Sequence, residues 1–322
     1  MKKKFRTSIG GQALLEGVMM RGPAKYAAVV RTKDGLVVKE QAAPFPKDKH
    51  PILGWLFIRG VCNFVQSMAI GMKSLFWSAD QVELEEEKTD ADGNVIPAEK
   101  GIGKGWFALS MAIALVMVVG MFTVLPTFIG GLLSEWIGEQ SFARNAAETG
   151  LRLVILLSYM LIVSQTKDIK RTFAYHGAEH KAIACYEAGG ELTVEECRRH
   201  SRFHPRCGTS FLLTVVLISM VAFLLLSIPL QSLELFEHRL GNNFLRVGMR
   251  LALLPFVVMI SYEINRLVGR TDNILSKLIR SPGIAMQRIT TREPGDDMIE
   301  VALDALRRVV PEEEGADTWG RK

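Results

Sequence analysis

The longest apolar stretches are Gly105–Ser134 and Cys207–Leu233, and neither contains a charged residue. Each exceeds the roughly 20 residues that carry a helix across about 30 Å of hydrocarbon. A soluble core helix of that length would show a polar face. The pattern predicts a mainly α protein, a polytopic helical membrane bundle of about four spans, at about 106–129, 149–165, 209–230 and 245–263. Trp106 fits an interfacial anchor of the first span. Arg152 would have to snorkel from the second, and the fourth carries Arg246, Arg250 and Pro255.

Outside the bundle (105–265) the periodicity changes. Within residues 1–50, Tyr26–Arg31 and Leu36–Glu40 are short strand-like runs around Asp34-Gly35, a hairpin signal, so a small soluble α/β element is expected there. Gly10, Gly11, Gly17 and Gly22 read as turn formers, since the lysine and Ser/Thr spacing of a P-loop is missing. In residues 51–82, Arg59, Asn63, Gln66 and Lys73 fall on one face of a helix. Such a stripe predicts an amphipathic helix lying in the membrane interface. Residues 83–104 read as an acidic linker. The tail, 266–322, contains an amphipathic helix over Met298–Val310, with acids at its start and Arg307 and Arg308 at its end, as the helix dipole favours.

Charge placement then sets orientation. Residues 167–208 hold eight Lys/Arg and the segment from 264 onward holds ten, against one each in 131–149 and 231–244. The positive-inside rule predicts a multi-pass protein of the cytoplasmic membrane, with both termini and the 166–208 loop cytoplasmic. Met1–Arg6 is basic, but no apolar run follows, which argues against a secretory signal. Hydrophobic residues make up 48% of the chain, within the globular range, so the distribution and not the total points to lipid. The net charge of +5 is modest, and no basic stripe interleaved with aromatics occurs. Nucleic acid is therefore excluded as a partner, leaving the lipid bilayer and other membrane proteins.

The chemistry concentrates in 166–208. Four of the six histidines (His176, His180, His200, His204) and three of the four cysteines (Cys185, Cys197, Cys207) lie there. In a reducing compartment such thiols are free or bind metal. His176-Gly-Ala-Glu-His180 puts two imidazoles one helical turn apart, with Glu179 on the same face. That arrangement can chelate Zn2+ and hold a carboxylate where it can act as a base; the same string marks the inverted zinc peptidases. Cys197-x-x-His200-x-x-x-His204-x-x-Cys207 has intervals that also suit metal ligands. The expected set is His176 and His180, closed by His204 or Cys207. Four protein ligands would make the site structural; three ligands and water, with Glu179 as general base, would make it hydrolytic. Without metal, the same side chains would pack and hydrogen-bond where the loop meets the bundle. Glu263 is a carboxylate for the same site or a partner of Arg266.

Gly10-Gly-Gln-Ala-Leu-Leu-Glu-Gly-Val-Met-Met-Arg-Gly22, His176-Gly-Ala-Glu-His-Lys181, His204-Pro-Arg-Cys-Gly-Thr-Ser-Phe211 and Gln287-Arg-Ile-Thr-Thr-Arg-Glu-Pro294 together resemble the YqhQ-like family of bacterial membrane proteins. That family is of unknown function and is often described as metal-dependent enzymes. The resemblance singles out His176, Glu179, His180, His204, Arg206 and Cys207, together with Glu16 and Arg21. The leading expectation is a metal-dependent hydrolase acting on a membrane-proximal substrate, with Glu179 as base and Arg206 holding an anionic group. The alternative is a non-enzymatic scaffold or assembly factor for membrane proteins. A transporter ranks behind both, because the spans show no inverted repeat.

Overall fold

Short strands with two apolar faces and helices of several kinds make up the computed structural model, which describes residues 5–83, 88–89, 95–96, 104–126, 128–129, 142–231, 239–271 and 273–319. The strands are β1 (Gly10–Leu14), β2 (Gly17–Arg21), β3 (Lys25–Thr32) and β4 (Gly35–Ala42). The helices are α1 (Ile58–Glu83), α2 (Lys104–Val119), α3 (Phe142–Val163), α4 (Lys167–Ala188), α5 (Val194–Arg198), α6 (Gly208–Gln231), α7 (Arg239–Val268), α8 (Ile274–Thr290) and α9 (Asp296–Val309). The chain divides into two units, one formed by 1–98, 164–213 and 259–322, the other by 99–163 and 214–258.

The first unit is a three-layer sandwich. Its antiparallel sheet runs in the order β1-β2-β3-β4. Side chains alternate across a strand, so Val18, Met20, Ala27 and Val29 face one way, onto α4 and α9. Met19, Tyr26, Ala28 and Val30 face the other way, where Ile70, Leu75 and Trp77 of α1 cover them. Burial on both faces explains why β2 and β3 read as nearly continuous apolar runs. The β3–β4 hairpin turns at Lys33-Asp34, with Thr32 paired to Gly35, one residue earlier than the Asp34-Gly35 signal. Gly35 takes φ +129°, a conformation that glycine alone adopts easily. A second hairpin joins β1 to β2 through Leu15-Glu16, with Glu16 itself at φ +51°.

α9 closes this core. Ile299, Val301, Ala302, Ala305 and Leu306 are fully buried, so the helix expected in a C-terminal tail is an inner layer of the unit. The N-terminal element, the His/Cys segment and the C-terminal helix, which sequence divides among separate regions, share one core.

α1 reverses the expected orientation of its polar stripe. Arg59 Nε and Nη2 donate to Glu263 at 2.8 and 2.6 Å. Asn63 donates to Tyr262 Oη at 2.9 Å, and Gln66 donates to the Pro44 carbonyl at 2.9 Å. These polar residues are anchored to the protein, while Val65, Met68, Met72 and Phe76 are exposed. Glu263 thus pairs with Arg59 and not with the His/Cys segment.

The second unit holds α2, α3 and parts of α6 and α7. Here the expected membrane bundle is corrected. Among the described residues, no single helix is long and apolar enough to cross a membrane. The second expected span meets the length and hydropathy requirement only as the pair Thr149–Val163 and Lys167–Ala188, bent by 97°, and α4 in that pair is charged and half buried in the first unit. The remaining apolar helical stretches, Ala112–Phe122 and Gly208–Ala222, fall short of about 20 residues. The helix at the fourth expected span, α7, contains Arg246, Arg250 and Glu263, with Pro255 inside it. In the first run the uncharged sequence outlasts the α-helix, which ends at Val119 and passes into a wider turn at Gly120–Val124. Most of the expected linker 83–104 and parts of the connections 131–149 and 231–244 lie outside the described residues.

Candidate metal centre

α4 supplies the centre of the site. The segment 166–208, expected as a loop, is largely this helix. It ends at Gly189 in the left-handed conformation, φ +72°, whose N–H bonds back to Cys185 and Tyr186 carbonyls, a standard glycine C-cap. Its residues 174–183 are all buried, so His176, Glu179 and His180 project into the protein. Gly177 leaves room for the crossing chain: a Cβ there would meet the Arg292 carbonyl oxygen at 2.1 Å.

Cys207 comes from elsewhere in the chain, immediately before α6. Its Sγ lies 3.2 Å from His176 Nε2 and 3.2 Å from Thr209 Oγ1. The ligand atoms of His176, His180 and Cys207 all lie within 4.8 Å of one another, and the two histidine rings are 4.4 Å apart.

The outer nitrogens of both rings are committed to backbone. His176 Nδ1 donates to the Thr290 carbonyl at 2.8 Å, and His180 Nδ1 donates to the Arg202 carbonyl at 2.5 Å. A carbonyl can only accept, so each Nδ1 carries the proton and each Nε2 is left as an electron-pair donor in the neutral ring. Metal-ligating histidines are oriented in this way. His180 Nε2 and Glu179 Oε2 are buried with no hydrogen-bond partner. Such orphans are costly unless something satisfies them. A thiolate with two imidazole Nε2 atoms is a donor set suited to zinc. The residues present therefore fit a bound metal ion.

Electrostatics couple His176 to Cys207, so that a metal ion would displace the proton the two share. Burial opposes charge on His176, but the Cys207 thiolate, its hydrogen bond and Glu179 outweigh it and raise the imidazole to about 9. Burial likewise opposes ionising Cys207, and His180 and His176 overcome it, holding the thiol well below its usual value. A lowered thiol favours the thiolate, the form that binds metal. Glu179 is raised above the ordinary carboxylate range, chiefly by burial, against the opposing influence of His180 and His176. Glu179 Oε2 stands 3.9 Å from His176 Nε2.

The other sequence-selected residues occupy a separate network. His204 Nε2 lies 3.4 Å from Glu187 and 3.4 Å from Arg206, and its ring centroid is 5.6 Å from that of His180. Arg206 pairs with Glu187 and lies over the Trp319 ring at 5.7 Å. Glu187 also accepts from the Thr7 amide at 2.7 Å. His200 faces Glu196 at 3.7 Å, while Cys185 and Cys197 are buried in the apolar core. Glu16 pairs with Arg171 and lies 3.3 Å from Tyr175 Oη. Arg21 donates to Ser67 and Gln66.

Several supporting residues were not found by sequence reasoning. Gln287, fully buried, accepts from the His204 amide and donates to the His204 carbonyl and to Ser210 Oγ, at 2.8, 2.8 and 3.0 Å. It fixes the strand of chain leading to Cys207. Gly11 had been read as a turn former; it lies within β1, where a Cβ would come within 2.6 Å of the Met19 carbonyl and 2.9 Å of Glu179 Cγ. The glycine pair was visible in the sequence, but its reason, close approach of a helix, was not.

Fold and site together define an α/β protein with a buried His/Cys cluster that could hold a metal ion. Comparison with known proteins agrees with the resemblance noted in the motifs. A family model described as protein of unknown function (DUF1385) matches residues 55–312. "Uncharacterized protein YqhQ" of Bacillus subtilis (strain 168) is 32% identical over 320 residues, covering 96% of this chain and 94% of that protein. The chain belongs to this uncharacterised family. No solved structure matches it.

Proposed function

We propose that His176, His180 and Cys207 hold a zinc ion and that the protein is a zinc-dependent hydrolase with Glu179 as general base. The observation that carries this reading is the shared orientation of the two rings: each Nδ1–H is donated to a backbone carbonyl, leaving both Nε2 atoms on the side of Cys207. Three protein ligands leave a tetrahedral ion one open position, the arrangement found in catalytic sites. A metal there supplies Lewis acidity toward a carbonyl or phosphoryl oxygen.

The chain's own residues do the rest. Glu179 takes a proton from attacking water and delivers it to the leaving group. Its burial makes the carboxylate a stronger base than an exposed glutamate, moving it toward the pH at which general bases are most effective. Gly11, having no side chain, lets β1 lie directly against the Glu179 side chain. The apolar residues around α4 limit water, which strengthens each of these electrostatic contacts.

A second reading has its own support. Glu179 Oε2 is close enough to His176 Nε2 (3.9 Å) to serve as a fourth ligand, which would close the shell and make the site structural. Cobalt substitution separates the two. A thiolate-ligated cobalt site with an open position changes its visible spectrum when a hydroxamate is added, and Glu179→Gln keeps that response while abolishing metal-dependent ester hydrolysis. A spectrum indifferent to hydroxamate in the parent chain, or a Glu179→Gln variant that loses the metal, overturns the hydrolase in favour of the closed site. No stoichiometric metal in chain purified from zinc-replete cells overturns both.

A further inference from the structure

α8 carries a feature the metal centre does not use. Its first turns expose Ile274, Leu275, Leu278 and Ile279, with Ile274 86% and Leu278 66% exposed. These four positions form one face of the helix. On the adjoining face is an open cavity of ≈ 680 Å³, lined by Lys277, Arg280, Ser281 and Arg288 of α8 together with Pro205. No carboxylate lines it. Lys277 and Arg288 are exposed, and among the described residues neither forms an ion pair. Asn273 caps the helix by accepting from the Ser276 amide at 2.7 Å, so the apolar turn is ordered, not frayed. Gly283 sets α8 against the protein, where a Cβ would meet Ser210 at 2.6 Å.

We propose that α8 docks on an anionic lipid surface, with Ile274, Leu275, Leu278 and Ile279 entering the acyl boundary and the exposed Lys277 and Arg288 taking a phosphate headgroup at the cavity. An apolar stripe bordered by cations along one helix is the pattern of helices that lie in a membrane interface. Water would leave the stripe uncovered at a cost that grows with its apolar area. Charge complementarity selects the occupant. A second copy would bring the same cations face to face, which like-charge repulsion disfavours, whereas anionic headgroups neutralise them. The apolar residues project outward and do not wall a groove, which suits a fluid lipid layer better than a peptide. α1 of the same unit adds a second exposed stripe, Val65, Met68, Met72 and Phe76, because its polar side chains are tied inward.

The test is co-sedimentation of the full chain with vesicles of phosphatidylcholine alone or of phosphatidylcholine and phosphatidylglycerol in equal parts. Binding to the mixed vesicles is expected to be at least about tenfold tighter, with the excess lost in high salt. Lys277→Glu with Arg288→Glu removes that preference, and Leu275→Asp with Leu278→Asp weakens binding to both vesicles. All four positions are exposed, so circular dichroism of each variant is expected to match the parent. Equal binding to the two vesicles, or a charge-reversed variant that keeps the preference, overturns the proposal. So does displacement from vesicles by millimolar inorganic phosphate, which would assign the cavity to a soluble anion. Absence of vesicle binding together with a dimer that Leu275→Asp, Leu278→Asp dissolves would assign the face to a second copy.

Discussion

Two clusters within the same 32 residues each pair imidazole with a carboxylate and differ in how their polar atoms are satisfied. In the first, His176, His180 and Cys207 converge while His180 Nε2 and the neighbouring Glu179 Oε2 have no partner. In the second, the side chains of His204, Arg206 and Glu187 partner one another and Glu187 also accepts from the Thr7 amide. A buried polar group with its partner in place contributes to structure; one without a partner is aimed at something else. Sequence spacing made the two clusters look alike. Hydrogen-bond accounting separates them.

The contrast can be broken most directly at the ligands. His176→Ala with His180→Ala is expected to abolish stoichiometric zinc, measured by mass spectrometry of the purified chain, because one thiolate cannot hold the ion alone. His204→Ala and Cys197→Ala are each expected to retain it. Loss of zinc in His204→Ala would merge the two clusters into one site.

The next effect lies in the second cluster. Glu187→Gln leaves Arg206 buried without its carboxylate, at an expected cost of about 3 kcal/mol by thermal or denaturant unfolding, with zinc retained. Its pH dependence follows from the Glu187 carboxyl, which burial would raise but which His204 and Arg206 hold below the ordinary carboxylate value. A depressed carboxylate contributes stability above its unfolded value and loses it as pH falls through the folded one. The parent chain should therefore lose stability progressively below about pH 4.5, and Glu187→Gln should flatten that limb.

Smaller effects sharpen the boundary. Gln287→Leu frees the chain before Cys207 and is expected to weaken zinc binding by about 10- to 100-fold in chelator competition, as outer-shell changes do. Gly11→Ala forces β1 away from Glu179 and the Met19 carbonyl, lowering stability by about 2 kcal/mol while zinc stays bound. If Gly11→Ala also leaves ester hydrolysis unchanged, the close approach of β1 has no part in holding the base.

Local pattern carried much of this. Short apolar, β-branched runs at Tyr26–Arg31 and Leu36–Glu40 on either side of Asp34-Gly35 mark β3 and β4, since strand and turn signals act within a few residues. Spacing of three and four made His176, Glu179 and His180 neighbours as soon as α4 formed. The β1–β2 hairpin was missed because its two-residue turn, Leu15-Glu16, has no glycine or asparagine, although Glu16 sits at positive φ. The membrane bundle was overread: absence of charge along Gly105–Ser134 says nothing about where the helix breaks. The α1 stripe was found correctly, but its direction was not, because Arg59 and Asn63 meet Glu263 and Tyr262 some 200 residues later.

Short-range spacing thus determined which residues would share a helix face or a strand face, because backbone periodicity acts over a few residues. Tertiary structure alone decided that Cys207, 31 residues beyond His176, joins that pair while His204 turns to Glu187. It also decided that Thr290 and Arg202 orient the rings and that Gly11 lies against Glu179. Those choices depend on which distant segments satisfy each other's buried polar atoms, and no local period encodes them.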